Sequence, residues 1–452
     1  MSFPARPACA PPGMEVSVSQ LPFHRLHSSL QTLRPLTSFS RRAILDFQSA
    51  QLRRLVRHAY DNVPLYRRLF DSAGLQPRHV RGIQDLALIP IVSRALLQET
   101  PVSDRLARGF SQSSLIPWPT SGSSGRPLLI LRTRAEDQLL MAVRLRQLFS
   151  LGLRLSDRRA AVAVPDPPVA TFRWDHPLRG RLGLLIRRKV SCLDSPESIV
   201  TQLRAINPDA IEGYPGSLAR AAILLTDDDR RSIRPRFIVS GAETLSPALR
   251  REIQQGFRAP VFNYYGADEF NLIAAECPSS GRLHLMETSV LAEVLHDGLP
   301  VQPMQSGQLV ATALHSFAMP IIRYNLGDRA TFGEELCPCG APLSTLVHVQ
   351  GRELDRFTLP DGKQLHPFAL VEPLLAAGPW ICQFQVVQHR RDQVVVSVTS
   401  NHGNPPPPDA LNRIQARLAA ILGSAVAVHV EHLPELPQQS SGKFRPYRCL
   451  AE

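Results

Sequence analysis

Between residues 160 and 247, short apolar runs alternate with stretches of helical periodicity, and this alternation restricts the fold more than any other property of the chain. The runs at 160–164, 210–211 and 237–239 read as strands, and the segments 199–206 and 218–225 between them read as helices. Ser246-Pro247 opens a further helix, with serine as N-cap and proline at the first helical position. A strand–helix–strand order predicts a largely parallel sheet covered by helices. Runs at 283–295 and 307–314 add strands of a β-rich subdomain. Upstream, Ile44, Phe47, Leu52, Leu55, Val56 and Tyr60 recur at near-helical spacing with arginines between them and a break at Pro64, which predicts amphipathic helices capping the large body.

Beyond Gly351 the pattern changes to β-rich runs at 384–388 and 393–399, a loop with prolines at 405–408, a helix over 409–422 and a strand over 425–430. That is a small α+β domain. With 452 residues the chain exceeds the size of one core, and it divides into a disordered leader over 1–22, a large body over 23–350 and a small C-terminal domain over 351–452. The proline-bearing leader lacks the apolar centre of about 7–15 residues that a secretory signal needs. No window approaches the roughly 20 apolar residues of a membrane span, so a cytoplasmic protein is expected.

The formal net charge of +12 suits acidic small ligands or an acidic protein partner. No arginine-rich block with interleaved aromatics occurs, so nucleic acid is not the expected partner, and most arginines are expected on solvated faces. Seven cysteines, an odd number scattered along the chain, do not form a disulfide framework. Cys277, His284, Cys337 and Cys339 stand apart from the rest: the Cys-x-Cys knuckle beside Gly340 lets two thiolates face one ion, and a third cysteine and a histidine would complete tetrahedral coordination of a structural zinc ion, the alternative being reduced, unliganded cysteines. Cys9, Cys192, Cys382 and Cys449 show no pattern.

Two segments carry phosphate chemistry. Residues 120–127, TSGSSGRP, form a run of small hydroxyl residues and glycines that can wrap anionic oxygens. Near the C-terminus, Ser441-Gly442-Lys443 offers a glycine-hinged cation for charge developing on a phosphoryl group. Between them come Gly241-Ala242-Glu243, Asn263-Tyr264-Tyr265-Gly266-Ala267-Asp268-Glu269, Arg323-Tyr324-Asn325-Leu326-Gly327-Asp328 and Gly351-Arg352-Glu353-Leu354-Asp355. In this order and spacing the chain resembles the adenylate-forming superfamily, and in particular its phenylacetate-CoA ligase-like branch, which the segment LVRHAYDNVPLY at 55–66 also resembles. The resemblance runs from about residue 45 to the end.

The resemblance implies an α/β adenylate-forming domain, a mobile C-terminal domain carrying Lys443, and two half-reactions. A carboxylate attacks the α-phosphate of ATP to give an acyl-adenylate, and a thiol, usually that of CoA, then displaces AMP. Ser121, Gly122, Ser123, Ser124 and Gly125 would hold the β- and γ-phosphates, together with Arg126, which stands where the family usually has lysine. Gly241, Ala242 and Glu243 would line the adenine, with Tyr265 stacked on it and Gly266 beside it. Asp328 would accept from the ribose hydroxyls and Arg352 would contact ribose or phosphate. Glu269 matches a Mg²⁺-associated glutamate. Lys443 would meet the α-phosphate during adenylation. Tyr214 and Pro215 fall where the family lines the acyl pocket.

This chain departs from the pattern at Asp268, where the family carries Thr or Ser, and at Leu354, where the hinge position is usually charged. The expected partners are a small carboxylic acid, with aryl acids favoured, ATP, Mg²⁺ and CoA or an acyl carrier protein, and a homodimer is left open. Two other readings stand beside the CoA ligase. One transfers the acyl group to a carrier-protein phosphopantetheine or an amine, and the other is a non-catalytic nucleotide-binding scaffold.

Overall fold

The computed structural model describes residues 39–119, 128–163, 185–333, 336–352, 357–365, 370, 373–374, 377, 380–400, 405–436 and 447–451. The expected leader, the 120–127 loop and the 441–443 segment lie outside these residues, as do Leu354 and Asp355.

The amphipathic start folds as two helices, Arg41–Asn62 and Pro64–Ser72. The Ser40 side chain caps the first by accepting from the Ala43 amide, and Pro64 opens the second at a position where its missing N–H costs nothing. Leu52, Leu55, Val56 and Ala59 of the first helix are fully buried, on the face that the periodicity predicts. They join Tyr66 and Phe70 of the second helix in a core shared with the strands between residues 283 and 346.

Arg159–Ala163, Arg187–Ser191, Ala210–Gly213, Phe237–Gly241 and Val261–Tyr265 form five parallel strands; the first, third and fourth carry the expected runs, whereas Arg187–Ser191 and Val261–Tyr265 are strands the periodicity did not mark. Helices Pro196–Ile206, Pro215–Leu224 and Pro247–Phe257 cover one face, and the last of these begins at Ser246-Pro247 as the capping signal requires. Helix Arg134–Ser150 packs on an apolar cluster with Phe237, Val239 and Tyr264. The β-rich part is not a separate sheet. Strand Ala274–Glu276 pairs antiparallel with Val261–Tyr265, and further antiparallel pairing extends the sheet to twelve strands in all. One of these, Thr345–Arg352, runs past residue 350, so the large sheet reaches two residues beyond the boundary expected from composition.

A separate four-stranded sheet holds Ile381–Arg390, Gln393–Ser400, Ala427–His432 and Tyr447–Cys449, backed by helix Ala410–Leu422 around its own apolar cluster. The strand and helix assignments made from residues 384 to 430 therefore hold to within a few positions.

The two N-terminal helices are fixed to the sheet by polar groups as well as by apolar area. The Tyr66 hydroxyl, 1% exposed, donates to the Pro320 carbonyl at 3.1 Å and accepts from the Ile322 amide at 2.9 Å. His58 bonds the Phe317 carbonyl at 2.9 Å, and burial lowers its pKa. Tyr66→Phe leaves one buried carbonyl and one buried amide unpaired, and is expected to cost about 1–3 kcal/mol, read as a lowered midpoint in urea unfolding.

Candidate active site

Three of the predicted motifs begin at the carboxyl ends of neighbouring parallel strands, the position at which open α/β sheets bind ligands. Tyr214 and Pro215 follow Ala210–Gly213, Ala242 and Glu243 follow Phe237–Gly241, and Gly266 follows Val261–Tyr265. The backbone there tolerates few side chains. A Cβ on Gly266 would stand 2.0 Å from the Asn271 carbonyl oxygen, and one on Gly241 would stand 2.7 Å from that of Tyr264. Ala242 holds φ at +67°, the left-handed region that a residue with a Cβ rarely adopts, as strained positions in binding sites often do. Glu243 Oε2 accepts from the Gly216 amide at 3.3 Å, at the N-terminus of helix Pro215–Leu224, where a carboxylate is favourably placed. Glu243, an adenine-lining candidate, is thus bonded to the residue that directly follows the acyl-pocket candidates Tyr214 and Pro215.

Tyr265 and Asp328 also come together. The tyrosine hydroxyl donates to Asp328 Oδ2 at 2.5 Å. Gly327, at φ +78°, gives its amide to Asn325 Oδ1 at 2.8 Å, a turn that sets the direction of the chain into Asp328. Asp328 in turn lies opposite Arg352 in the pairing of Tyr324–Phe332 with Thr345–Arg352. Residues assigned to base and ribose from 63 positions apart therefore form one clasp.

Glu269 is 5% exposed, and its Oε1 accepts from Arg94 Nη1 at 3.2 Å and from the Tyr324 hydroxyl at 3.0 Å. Tyr324 is itself buried, and desolvation, reinforced by the glutamate, raises its pKa well above the ordinary phenol value. Arg132, 2% exposed, donates from Nη2 to the Asp268 carbonyl. Burial lowers its pKa against the opposing pull of Asp137, Glu136, Asp268 and Glu269. Sequence reading missed Arg94 and Arg132. The available signal for Arg132 was a charged residue closing the apolar run 128–131 directly after the serine-rich loop.

Ser121, Gly122, Ser123, Ser124, Gly125, Arg126 and Lys443 lie outside the described residues. The strands flanking the serine-rich loop, Ile116–Pro119 and Leu129–Arg132, pair antiparallel with Pro119 opposite Leu129.

Glu212, next to the acyl-pocket candidates, is held by arginines. Its Oε2 accepts from Arg144 at 3.0 and 2.7 Å, its Oε1 accepts from Arg159 at 3.1 Å, and Arg187 lies 3.8 Å away. Burial would raise its pKa, but the guanidiniums of Arg144, Arg187 and Arg159 outweigh it and hold the carboxyl at about 2.

Cys277, His284, Cys337 and Cys339 converge with one donor atom from each within 4.8 Å of the others. Cys337 and Cys277 sulfurs are 3.6 Å apart, and Cys339 Sγ is 3.5 Å from His284 Nε2. The edges of a tetrahedron built on metal–sulfur bonds of about 2.3 Å and metal–nitrogen bonds of about 2.0 Å are about 3.5–3.8 Å. The donor set and its spacing therefore fit zinc.

No protein-family model matches the chain. It is similar to a phenylacetate-coenzyme A ligase of Thermus thermophilus, 26% identical over 366 residues that span 78% of this chain and 80% of the relative. A phenylacetate-coenzyme A ligase of Escherichia coli is 26% identical over 368 residues, 79% of this chain and 82% of the relative. Among solved structures, 2-hydroxyisobutyryl-CoA ligase in the postadenylation state aligns with a TM-score of 0.73 at 21% identity, covering 91% of this chain and 89% of the other. An anthranilate CoA ligase in complex with anthranoyl-AMP aligns at 0.54 with 15% identity, over 87% and 78% of the two chains. The fold is that of these CoA ligases, and the resemblance read from the motifs is borne out.

Glu212 contributes stability that is full above its unfolded pKa of 4.5 and is lost as pH falls toward its folded value of about 2. Glu212→Gln leaves the buried guanidinium of Arg159 and the half-buried ones of Arg144 and Arg187 without their counter-charge. It should lower stability at neutral pH by about 3 kcal/mol or more and flatten the fall in stability below pH 4.5, both measured by denaturant midpoints across pH.

Proposed function

We propose that the chain is an AMP-forming acid–CoA ligase of the adenylate-forming superfamily. A carboxylate oxygen of the acid attacks the α-phosphorus of ATP, the bond to the β-phosphate breaks and pyrophosphate leaves. The CoA sulfur then attacks the acyl carbon, and AMP leaves with its phosphate oxygen. The observation that carries this reading is the Tyr265–Asp328 clasp at the carboxyl ends of the parallel strands, in a chain similar over most of its length to phenylacetate-CoA ligases.

Each described residue has a task that its geometry suits. Tyr265, its hydroxyl engaged by Asp328, presents its ring to the adenine. Asp328 keeps acceptor capacity for ribose hydroxyls, because a carboxylate has about four lone-pair sites and the tyrosine takes one. Glu269 is held in place through Oε1 by Arg94 and Tyr324, and its carboxylate would hold Mg²⁺ against the phosphates. That ion would supply charge neutralisation to the triphosphate. By resemblance, the serines at 121, 123 and 124 hold the outer phosphates and Lys443 meets the α-phosphate, carried on a small domain that begins after Arg352. An aryl acid is the favoured substrate class, with Tyr214 and Pro215 beside it. The net charge of +12 supports a second acceptor, an acidic carrier protein bearing phosphopantetheine.

Incubation with ATP, Mg²⁺ and a panel of aryl and aliphatic acids should give acid-dependent ATP–pyrophosphate exchange, and Lys443→Ala should lower it about 100-fold or more. AMP release stimulated by CoA, and not by a phosphopantetheinylated carrier, would assign the acceptor. No exchange above the Lys443→Ala control with any acid would favour the nucleotide-binding scaffold.

We also assign a structural zinc ion to Cys277, His284, Cys337 and Cys339. Elemental analysis should find about one zinc per chain, and Cys337→Ser combined with Cys339→Ser should abolish it and lower the melting temperature.

A further inference from the structure

We propose that Arg144 and Tyr264 receive a second, anionic group at the far end of the acid, so that the substrate class is a dicarboxylic acid of which one carboxylate is activated. The inference rests on the ligase reading and narrows its substrate. Glu212, Val239 and Phe262 lie opposite one another on three adjacent parallel strands, and Tyr264 follows Phe262 by two positions, so Glu212 and Tyr264 project from the same face of the sheet. Helix Arg134–Ser150 packs on that face and brings Arg144 to both. Arg144 Nε and Nη2 donate to Glu212 Oε2 at 3.0 and 2.7 Å, and its guanidinium carbon lies 5.9 Å from the centre of the Tyr264 ring. The strand between Glu212 and Tyr264 ends in Gly241, which brings no side chain into the gap. Tyr214 and Pro215 follow Glu212 by two and three positions, and Tyr265 directly follows Tyr264, so the cluster adjoins the acyl-pocket and adenine candidates.

Charge and donors in this cluster exceed what the cluster itself can use. Arg144 and Arg159 both pair with Glu212, so even with Arg187 left aside two guanidiniums share one carboxylate. Both hydrogen bonds of Arg144 leave from one edge of its planar fork. Nη1 therefore has no hydrogen bond among the described residues, on a side chain 29% exposed. The Tyr264 hydroxyl is buried and likewise has no hydrogen-bond partner among the described residues. Buried polar groups without partners are costly, and native interiors hold few of them. A carboxylate that meets Nη1 and the hydroxyl would take both donors, while Glu212 holds the guanidinium plane in place. An apolar group there would leave both donors desolvated and unpaired, and sites built around such donors discriminate strongly against analogues that cannot bond them.

The test is acid-dependent ATP–pyrophosphate exchange by full-length protein, with pairs of acids that differ only in the far group, a carboxylate or a methyl. Suitable pairs are terephthalate and 4-methylbenzoate, 4-carboxyphenylacetate and 4-methylphenylacetate, and adipate and hexanoate. The parent should favour the dicarboxylate in at least one pair by about tenfold or more in kcat/KM. Tyr264→Phe removes only an unpartnered hydroxyl, so it should not lower the melting temperature, yet it should cut that preference about tenfold. Arg144→Met should abolish the preference, and where that variant does not fold Tyr264→Phe decides alone. A parent that favours the dicarboxylate in no pair, or variants that lower kcat/KM for both acids of a pair alike, would overturn the proposal and leave Arg144 and Tyr264 as framework groups. Should the parent show no exchange with any acid, the ligase reading fails separately. Binding of the same acid pairs to the parent and the two variants, measured by equilibrium dialysis, then tests the receptor by the same ratios.

Discussion

Strand Val261–Tyr265 is hydrogen-bonded to a parallel neighbour on one edge and an antiparallel one on the other, and the whole molecule is organised around that change of direction. To pair antiparallel with its own continuation the chain must double back, and here it does so over residues 266–273, between Tyr265 and Ala274. Gly266 makes it possible, since any larger residue would drive a Cβ into the Asn271 carbonyl. The turn then delivers Asp268 and Glu269 to the carboxyl end of the parallel strands, while the antiparallel extension brings Asp328 back to meet Tyr265. Architecture and candidate chemistry share one constraint.

Much of this is legible in the amino-acid sequence itself. The apolar alternation from residue 160 onward, the Ser246-Pro247 cap and the break at Pro64 each rest on local backbone physics, and each element appears where it is expected. The motifs at 241–243, 265–269 and 328 also lie close together, with Gly241 opposite Tyr264 on paired strands and Tyr265 bonded to Asp328. What stayed hidden depends on which strands pair. The β-rich run reads as a subdomain because nothing local in Ala274–Glu276 reports that its partner is Val261–Tyr265. The Arg94–Glu269–Tyr324 triangle links residues up to 230 positions apart, a separation at which no sequence periodicity operates.

The arginines show the same limit. Composition suggests solvated faces, and pairs such as Arg42–Asp46 fit that description. Arg105, Arg132, Arg146, Arg159 and Arg323 are instead buried. Arg323 is 3% exposed and forks onto Glu293 while donating to the Ile89 carbonyl, and Arg159 shares Glu212 with Arg144. Such groups are costly to desolvate and tolerable only with their partners in place, so a part of the positive charge belongs to the interior framework. The remainder is what an acidic partner would meet.

The single hydroxyl of Tyr66, which gives one hydrogen bond and takes another on the loop ahead of Tyr324, has a practical corollary for anyone trimming the polypeptide. The two N-terminal helices look like an appendage in the linear map, yet that clamp and the apolar face around Leu55 make them the outer wall of the body that houses Asp328. A minimal crystallisation or expression fragment must therefore begin no later than Ser40, since a cut after Asn62 would strip the sheet of its cover and leave a sticky, misassembling remnant.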